Sequence, residues 1–472
     1  MVIKMSDDIL ENLVNLAYQG IKRAKRYNAK ESEIFVRKVQ GVEVISSNNG
    51  ITQANAYDDS GINVRLYMRR AIGGSFTNNL SEDNLYKIIK QATWAAEASQ
   101  SIKNWPGFPK GEKINEPNVF WQNEVNDVNP CTLISISEEI RDILSKSSLG
   151  IHLENLSVTA CSLREVGVNT SGLHVEKRET CVRISANAFL NGQDWISPPV
   201  FTDVFSRGLD IDVEKISNDF IEELKLLKNI EKFETRTTNI ILAPSALGWL
   251  FEFSLIPAIH GANIVRGRSN LGSKIGDQLI SDQLNIYDDG MHPLGFKSSV
   301  FDGEGLPHKR FPIFEKGVLK NFIWNHYWAN RYSTESTGNA VRDYRKSHIG
   351  ILPTNLVIDS GDATFEEMIS SISDGIFVKN VMGAFGANPA TGDFHVILSP
   401  GYLIRNGEIK GAIVGAALAG NIWKLLNSVE MVGKEQIVSE PLIGPNIMFR
   451  NASVQSHSRA FIPQLSLGRV RI

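Results

Sequence analysis

The fold class is decided by residues 33–67, which read EIFVRKVQGVEVISSNNGITQANAYDDSGINVRLY. Residues 33–36 and 42–45 are rich in β-forming side chains and predict a pair of strands. Residues 48–50, Asn-Asn-Gly, predict a turn with positive φ, because asparagine and glycine tolerate that conformation. Residues 61–67 alternate apolar and polar side chains, which predicts a further strand with one buried face.

Helical patterns lie on both sides of these strands. Apolar residues recur at helical spacing over residues 9–21, and Ser81 caps a second predicted helix that carries Leu85 and Ile88. Beyond residue 239 the chain is dense in glycine and short apolar runs, which is typical of a β-rich domain with long crossovers. The sequence therefore predicts an α+β protein. Its other elements are helices at 134–144 and 213–227 and strands at 157–163, 173–188 and 239–242.

The length of 472 residues predicts two domains, since one hydrophobic core seldom grows so large. A charged, turn-rich segment at 228–238 marks the boundary. Residues 1–232 are predicted to form an N-terminal α/β sandwich-like domain, and residues 233–472 the β-rich C-terminal domain. Within the first domain, residues 101–130 contain four prolines that interrupt regular structure, which indicates a connector.

Composition narrows the function classes. The 49 basic and 52 acidic residues nearly cancel, so the totals indicate no nucleic-acid or membrane partner. The N-terminus lacks the apolar core of a signal peptide, and the most apolar stretch, 411–420, is shorter than the roughly 18–20 residues of a membrane span. Cys131, Cys161 and Cys181 contain no CxxC pair and indicate neither a disulfide framework nor a thiolate metal site. We therefore expect a cytoplasmic protein.

A search for catalytic motifs leaves one acidic turn. No two of the nine histidines lie within one helical turn of each other, as a helical zinc site requires. No G-x-S-x-G elbow or Walker loop occurs. Residues 301–305, FDGEG, place Asp302 and Glu304 in a Gly-rich turn. These carboxylates either bind a cation or a peptide amine, or belong to a turn whose Asp accepts from its own backbone.

The same segments, taken in order, resemble the TldD/PmbA family. Residues 61–67 followed by 74–76 resemble its first block, and residues 299–305, SVFDGEG, resemble its F-D-x-E-G turn. The chain is identified as a member because further blocks keep the family's order. These blocks are 317–320 (GVLK), 336–340 (STGNA), 353–355 (PTN), 391–394 (TGDF), 401–404 (GYLI) and 406–409 (NGEI).

The family contains two kinds of subunit. TldD-type chains carry an H-E-x-x-x-H helix, whose histidines bind zinc and whose glutamate polarises the attacking water, and a cysteine near the C-terminus as a further ligand. TldE/PmbA-type chains lack these ligands and pair with a TldD-type chain. The resemblance therefore implies a heterodimeric peptidase that acts on unfolded or extended peptides in an enclosed cavity. Members have also been labelled modulators of DNA gyrase.

This sequence departs from the TldD-type pattern in the predicted helix at 244–256. If the glutamates are matched, Phe251 and Ile256 replace the two histidines. If the preceding glycines are matched instead, Glu252 and Pro257 stand there. Phenylalanine, isoleucine and proline side chains cannot ligate zinc, so neither register restores the site.

A further register of the helix motif, ending at His260, has Leu255 where the partner histidine should be. The second metal segment departs as well, because residues 431–434, MVGK, contain no cysteine. Residues 261–265, GANIV, instead resemble the PmbA-type version of this region. The resemblance thus implies a non-catalytic TldE/PmbA-type subunit without a cofactor of its own, inactive until it pairs with a zinc-binding TldD-type partner. A homodimer is one alternative assembly without that partner.

Six residues are candidates for the cleft or for substrate binding, by their motif positions alone: Asp302, Glu304, Thr337, Asn339, Arg342 and Asp393. Two alternatives stay open. One is a stand-alone hydrolase with an unrecognised site, for which Asp302, Glu304 and His308 can share proton transfer. The other is a regulatory binding protein of the DNA gyrase type, against which the near-neutral charge counts.

Overall fold

The computed structural model describes residues 8–114, 120–192, 196–440 and 442–456. Its first half is built from long antiparallel strands and amphipathic helices. In chain order the elements are α1 (Asp8–Lys25), β1 (Glu31–Ser47), β2 (Gly50–Asp58), β3 (Gly61–Met68), β4 (Ala71–Thr77), α2 (Glu82–Ala98), α3 (Asn123–Asn126), α4 (Pro130–Lys146), β5 (Ile151–Asn169), β6 (His174–Leu190), β7 (Val200–Ser206) and α5 (Val213–Lys225).

The strands of the first half form one antiparallel sheet in the order β4-β3-β1-β5-β6-β7, with β2 paired to β1. The predicted strand pair at 33–36 and 42–45 is wrong, because both segments belong to the single strand β1. The hairpin turn lies after it, where Gly50 adopts a φ of 119° as the sequence predicts. Ser81 caps α2 by accepting from the backbone N–H of Asn84, which confirms the predicted start of that helix.

One face of this sheet carries all four longer helices. Even-numbered side chains of β1 share a face because successive residues alternate. At one end Ile34 packs in a hydrophobic cluster with residues of α1 and α2, such as Leu16 and Leu85. At the other end Val44 packs in a second cluster with α4 and α5. The odd-numbered face also meets the second half of the chain, at Glu33, which accepts from Arg342.

The second half has more and shorter elements. They are β8 (Ile230–Glu231), β9 (Arg236–Leu242), α6 (Pro244–Leu250), a π-helical turn (Phe251–Leu255), α7 (Ile256–Ile259), α8 (Gly261–Val265), β10 (Ile286–Asp289), β11 (Arg310–Glu315), β12 (Val318–Leu319), α9 (His326–Tyr332), β13 (Ala340–Arg342), β14 (Ile349–Ile351), β15 (Leu356–Ile358), α10 (Phe365–Ser370), β16 (Asp374–Val378), β17 (Val381–Met382), β18 (Asp393–Leu398), β19 (Gly401–Arg405), β20 (Glu408–Ile413), β21 (Ala416–Asn421), α11 (Ile422–Asn427), β22 (Val429–Val432), β23 (Ile437–Val438), β24 (Leu442–Gly444) and β25 (Ile447–Ser456).

Two mixed sheets organise these elements. The larger has the order β17-β18-β21-β25-β9-β16-β19-β20-β8, and β22 also pairs with β25. The smaller has the order β12-β11-β10-β15-β24-β23. Strand β9 lies between β25 and β16 although both come far later in the chain, so the connections are long crossovers. The α+β class, with an antiparallel N-terminal sheet and a β-rich C-terminal half, is confirmed.

The two halves share a hydrophobic cluster. It contains Val42 and Leu156 from the first sheet together with Tyr402, Ile404 and Met448 from the second half. Strand β8, just before the predicted boundary at 232, already pairs with β20 of the larger second sheet. The division into 1–232 and 233–472 stays a prediction. So does the connector at 101–130, of which residues 115–119 lie outside the described ranges.

Strand β3 shows how closely the halves meet. All eight of its residues are buried, whereas the alternating sequence predicts one face in water. Asn63 donates to the backbone carbonyls of Tyr344 at 3.1 Å and Lys346 at 2.8 Å. The second half therefore covers the polar face of β3. Over the ranges given above, no helix has both the length and the apolar character to cross a membrane.

Candidate functional site

The acidic turn singled out in the sequence lies inside the molecule. Asp302 and Glu304 are each 3% exposed, so the turn is not solvated. One oxygen of Asp302, Oδ1, accepts from the backbone N–H groups of Glu304 at 2.9 Å and Leu306 at 3.0 Å. Its Oδ2 accepts from the backbone N–H of Ala340 in β13 at 3.0 Å. Asp302 therefore holds its own turn closed and fastens it to β13.

Glycine is required on either side of Glu304. Gly305 has a φ of 81°, in the left-handed region that favours glycine. A Cβ on Gly303 would lie 2.5 Å from the backbone nitrogen of Arg342, which is closer than any real contact. The spacing Asp-Gly-Glu-Gly thus reflects close backbone packing against β13.

Glu304 caps helix α9, which begins 22 residues later in the chain. Its Oε2 accepts from the backbone N–H of His326, the first residue of α9, at 2.8 Å. A carboxylate at a helix N-terminus is stabilised by the unpaired N–H groups and the helix dipole. Burial raises the pKa of Glu304, and the neighbouring Arg65 guanidinium opposes that rise.

Arg342 links the turn to the first sheet. It is fully enclosed and donates from Nη2 to Glu33 Oε1 at 2.6 Å and from Nη1 to Asn63 Oδ1 at 2.8 Å. Its Nε donates to the carbonyl of Gly303 at 2.8 Å, and its guanidinium lies 3.8 Å from the centre of the Phe35 ring. Arg65 also donates to Glu33 Oε1, at 3.1 Å. Two arginines thus enclose one buried glutamate between the halves.

Asn339, which is buried, and Thr337, which is half-buried, belong to an adjoining hydrogen-bond network. Asn339 Nδ2 donates to Asp288 Oδ2, and Thr337 Oγ1 donates to Asn339 Oδ1 at 2.6 Å. The other oxygen of Asp288 accepts from the backbone N–H of Thr354 at 2.8 Å. Burial raises the pKa of Asp288 to about 7, against these hydrogen bonds, which lower it. Burial and the nearby Glu304 likewise raise the pKa of Asp302 to about 7.

Asp393 lies apart from the other five candidates. It begins β18, is exposed, and accepts from Asn421 Nδ2 at 2.8 Å and Thr391 Oγ1 at 2.7 Å. The hydrogen bonds from these two side chains lower its pKa. This geometry is that of a local turn at the start of the β18–β21 pair.

His308 is placed beside Thr354, whose Oγ1 lies 3.3 Å from its Nδ1. Burial and the Lys177 ammonium lower the pKa of His308 to about 4, so the ring is neutral at pH 7. Within the described ranges no hydrogen bond joins it to Asp302 or Glu304. The structure therefore does not assemble these three side chains into one acid–base group.

The segment that corresponds to the metal helix is a packing element. Phe251 is 0% and Ile256 3% exposed, and both belong to the main hydrophobic core of the second half. A π-helical turn between α6 and α7 places Leu255 in the same core. These side chains offer no donor to a cation, so zinc does not fit here.

His260 lies at the end of this segment and is half-buried. Burial lowers its pKa, and the Arg266 cation adds to that effect. Its Nδ1 has no hydrogen-bond partner among the described residues. Across those residues no group of three or more His, Cys, Asp or Glu side chains is arranged to hold a metal ion.

Several residues of the buried polar region are missing from the sequence-based candidates. Lys177 is half-buried, donates to Ser299 Oγ at 2.8 Å, and has Glu165 and Glu179 at 3.7 Å and 3.5 Å. Glu33 and Arg65 are further charged residues of this region, and Arg65 lies within the largely apolar strand β3. For Arg65, the contrast between its charge and its strand position is the signal that could have found it.

One pocket of about 440 Å³ lies where the halves adjoin. It is bounded by β7, an edge strand of the first sheet, and by residues after β23, an edge strand of the smaller second sheet. Charged residues of both signs line it, including Asp203, Arg207, Lys297 and Glu440. An edge strand presents unpaired N–H and C=O groups, so this opening can accept an extended chain.

Comparison with known proteins identifies two matching domains. Residues 235–456 match the PmbA/TldA metallopeptidase C-terminal domain, and residues 32–96 match PmbA/TldA metallopeptidase domain 1. The protein MJ0231 of Methanocaldococcus jannaschii is 27% identical over 89% of this chain and 95% of its own length. Metalloprotease MJ0996 of the same organism is 25% identical, over 90% and 92%.

Solved structures agree with this match. The crystal structure of TldE from Thermococcus kodakarensis superposes with a TM-score of 0.88 at 27% identity, covering 94% of this chain and 100% of that one. A Thermotoga maritima protein described as a modulator of a DNA gyrase superposes with a TM-score of 0.83 at 22% identity, over 93% and 99%. At 22% identity, the similarity to the Thermotoga maritima protein shows only a shared fold.

Proposed function

Because this chain belongs to the TldD/PmbA metallopeptidase family, we propose that it is a non-catalytic, TldE-type subunit of a heterodimeric zinc peptidase. Its partner is a TldD-type chain, which supplies the zinc ion that polarises the attacking water. The substrates are unfolded or extended peptides. The solved TldE structure, which covers nearly the whole chain, favours this branch of the family.

The observation that carries the proposal is the packing of the metal-helix segment. Phe251 and Ile256, which replace the two histidines when the glutamates are matched, fill the core. Zinc is bound through nitrogen, oxygen or sulfur donors, and an apolar side chain buried against its neighbours provides none. The segment thus serves packing and leaves the hydrolytic step to the partner.

The role of this subunit is to complete the cavity and to align the peptide. The pocket between β7 and the β23 region supports this role, because strand edges bind an extended chain through main-chain hydrogen bonds. Binding through the main chain depends little on the side chains of the peptide. A folded protein has few unpaired strands that could bind in this way. Arg342 acts indirectly, since its hydrogen bonds to Glu33 and Asn63 join the two halves. Asp302, Glu304, Thr337 and Asn339 act through hydrogen bonds within the second half.

The test is reconstitution with the TldD-type chain of the same source. Size, zinc content and cleavage of an unfolded peptide are measured for each chain alone and for the mixture. We expect this chain alone to be inert and free of tightly bound zinc, and the mixture to form a one-to-one complex that cleaves the peptide. A variant of the partner's H-E-x-x-x-H helix should abolish cleavage without preventing the complex.

The opposite outcome identifies the alternative. If this chain cleaves peptide alone and loses activity on Glu304→Gln or His308→Asn, it is a hydrolase with its own site. Salt-sensitive retention on DNA without any effect on the partner's activity would favour a regulatory binding protein. No described contact favours either alternative over the subunit proposal.

A further inference from the structure

Two of the three cysteines are direct neighbours in the first sheet. Cys161 of β5 lies opposite Cys181 of β6 in the antiparallel register. Their Sγ atoms are 3.3 Å apart, and neither side chain is fully buried. The sequence spacing hides this pairing, because it arises from the hairpin between the two strands.

The thiols belong to a row that crosses the sheet. Gly41 of β1 lies opposite Cys161, and Tyr57 of β2 lies opposite Gly41. A Cβ on Gly41 would lie 2.6 Å from the Tyr57 hydroxyl, so glycine leaves the room in which that ring reaches toward Cys161. Arg207 closes the other end of the row, just after β7, where its Nη1 donates to the carbonyl of Thr180 at 3.2 Å.

This arrangement makes the two sulfurs unequal. The hydrogen bond from Cys181 lowers the pKa of Cys161 against the effect of burial, and contacts with Tyr57 and Arg207 lower it further. The pKa of Cys181 is raised, first by that same bond and then by burial. The thiolate is the reactive form of cysteine, so Cys161 is the better nucleophile.

We propose that Cys161 and Cys181 form a reversible disulfide, in which Cys161 reacts with a hydroperoxide and Cys181 resolves the product. The register allows the bond, because directly opposed residues have Cα atoms about 4.5–5.5 Å apart and disulfides span about 4.4–6.8 Å. Only a short approach of two sulfurs that already touch is required. The disulfide proposal does not rest on the proposed peptidase role, although Arg207 also lines the pocket beside β7.

The reaction balances in two steps. The Cys161 thiolate attacks one peroxide oxygen, so that an S–O bond forms, the O–O bond breaks, and the leaving oxygen takes up a proton to give water or an alcohol. Cys181 then attacks the sulfur of the resulting sulfenic acid. The S–S bond forms, the S–O bond breaks, and the hydroxyl leaves as water with the Cys181 proton. The two thiols together lose two electrons, which the hydroperoxide gains.

The experiment uses the full chain with Cys131→Ser, which removes the exposed third thiol. Hydrogen peroxide should consume both remaining thiols together, and proteolysis should then yield one cross-linked peptide pair that a dithiol reductant separates. With Cys181→Ser added, Cys161 should stop at a sulfenic acid that a dicarbonyl reagent captures. With Cys161→Ser instead, Cys181 should react about ten-fold more slowly, since burial still raises its pKa and the Tyr57 hydroxyl contacts only the Cys161 position.

Either of two results would overturn the proposal. One is oxidation of Cys161 to a sulfinic acid with no cross-linked peptide while Cys181 stays reduced. The other is equal reaction rates of the two single-thiol chains. Tyr57→Phe is the matched control for positioning, because it keeps the ring over Gly41 and removes only the hydroxyl. The pH at which Cys161 becomes reactive should rise in this variant, and an unchanged pH profile would contradict the role of Tyr57.

Discussion

At the scale of single residues, Arg342 and Glu33 show how a buried charge is accommodated where the halves of the chain meet. Glu33 is fully buried and accepts from both Arg342 and Arg65. Arg342 in turn has partners for donors on all three of its nitrogens. An intact buried ion pair stabilises the fold little more than apolar side chains of the same size would. Removing one partner costs far more free energy, because the other charge is then buried without a partner.

Arg342→Ala should therefore lower the free energy of unfolding by about 3–5 kcal/mol. The matched control is Arg345→Ala, since Arg345 also forms an ion pair across the halves, with Asp59 at 3.0 Å, but in solvent. That exposed pair should contribute less than about 1 kcal/mol. Denaturant unfolding measures both values, and equal losses would contradict the account of the buried cluster.

Asp288 predicts a pH dependence with a definite sign. Its pKa is raised to about 7 in the folded chain from an ordinary value of 3.8, so folding takes up a proton between these values. The protonated Asp288 carboxyl contributes to the free energy of unfolding at low pH, and this contribution is lost as the pH rises toward 7. From pH 5 to pH 7 the wild type should lose about 2 kcal/mol relative to Asp288→Asn, as urea unfolding measures. Parallel pH curves for the two proteins would contradict this prediction.

At the scale of elements, the segment from α6 through the π-helical turn to α7 serves packing. One side is in the core, where Phe251 is 0% exposed. The other side is open, where Trp249 is 42% exposed and stacks on Phe253 at 6.3 Å between ring centres. This segment is therefore an amphipathic support.

Phe251→Ala should lower the free energy of unfolding by about 3–5 kcal/mol, because it leaves a large cavity in the core. Trp249→Ala, on the open side of the same segment, should cost less than about 1 kcal/mol. Thermal or urea unfolding of the two variants checks the comparison. A larger loss at Trp249 would mean that the buried face has been assigned wrongly.

At the scale of the whole molecule, the two halves support each other through apolar and polar contacts. Tyr402 and Met448 pack in one cluster with Val42 and Leu156 of the first sheet. The polar face of β3 is covered by residues near 344–346. A chain cut at the predicted boundary would expose both surfaces to water.

We therefore expect residues 1–232 and 233–472, produced separately, to be markedly less stable than the intact chain. Each fragment should bind a dye for exposed apolar surface, and mixing should restore part of the intact signal. The intact chain should unfold in one cooperative transition, as calorimetry measures. A fragment 1–232 that melts near the temperature of the full chain would show that the halves are independent domains.

The sequence by itself determined the features that depend on neighbouring residues. Periodicity and capping located α2 after Ser81, turn chemistry located the hairpin at Gly50, and the ordered motifs identified the family. These signals are local, because a helix cap or a positive φ is settled within a few residues. The acidic turn also needed only its own glycines to be recognised.

The tertiary structure alone decided which distant residues meet. Glu33 and Arg342 are 309 residues apart, and neither local pattern indicates that they form an ion pair. Burial of the polar face of β3, the separation of Asp393 from the other candidates and the contact of Cys161 with Cys181 depend likewise on register and on the docking of the halves. Strand register follows from packing over the whole sheet, so no short stretch of sequence specifies it.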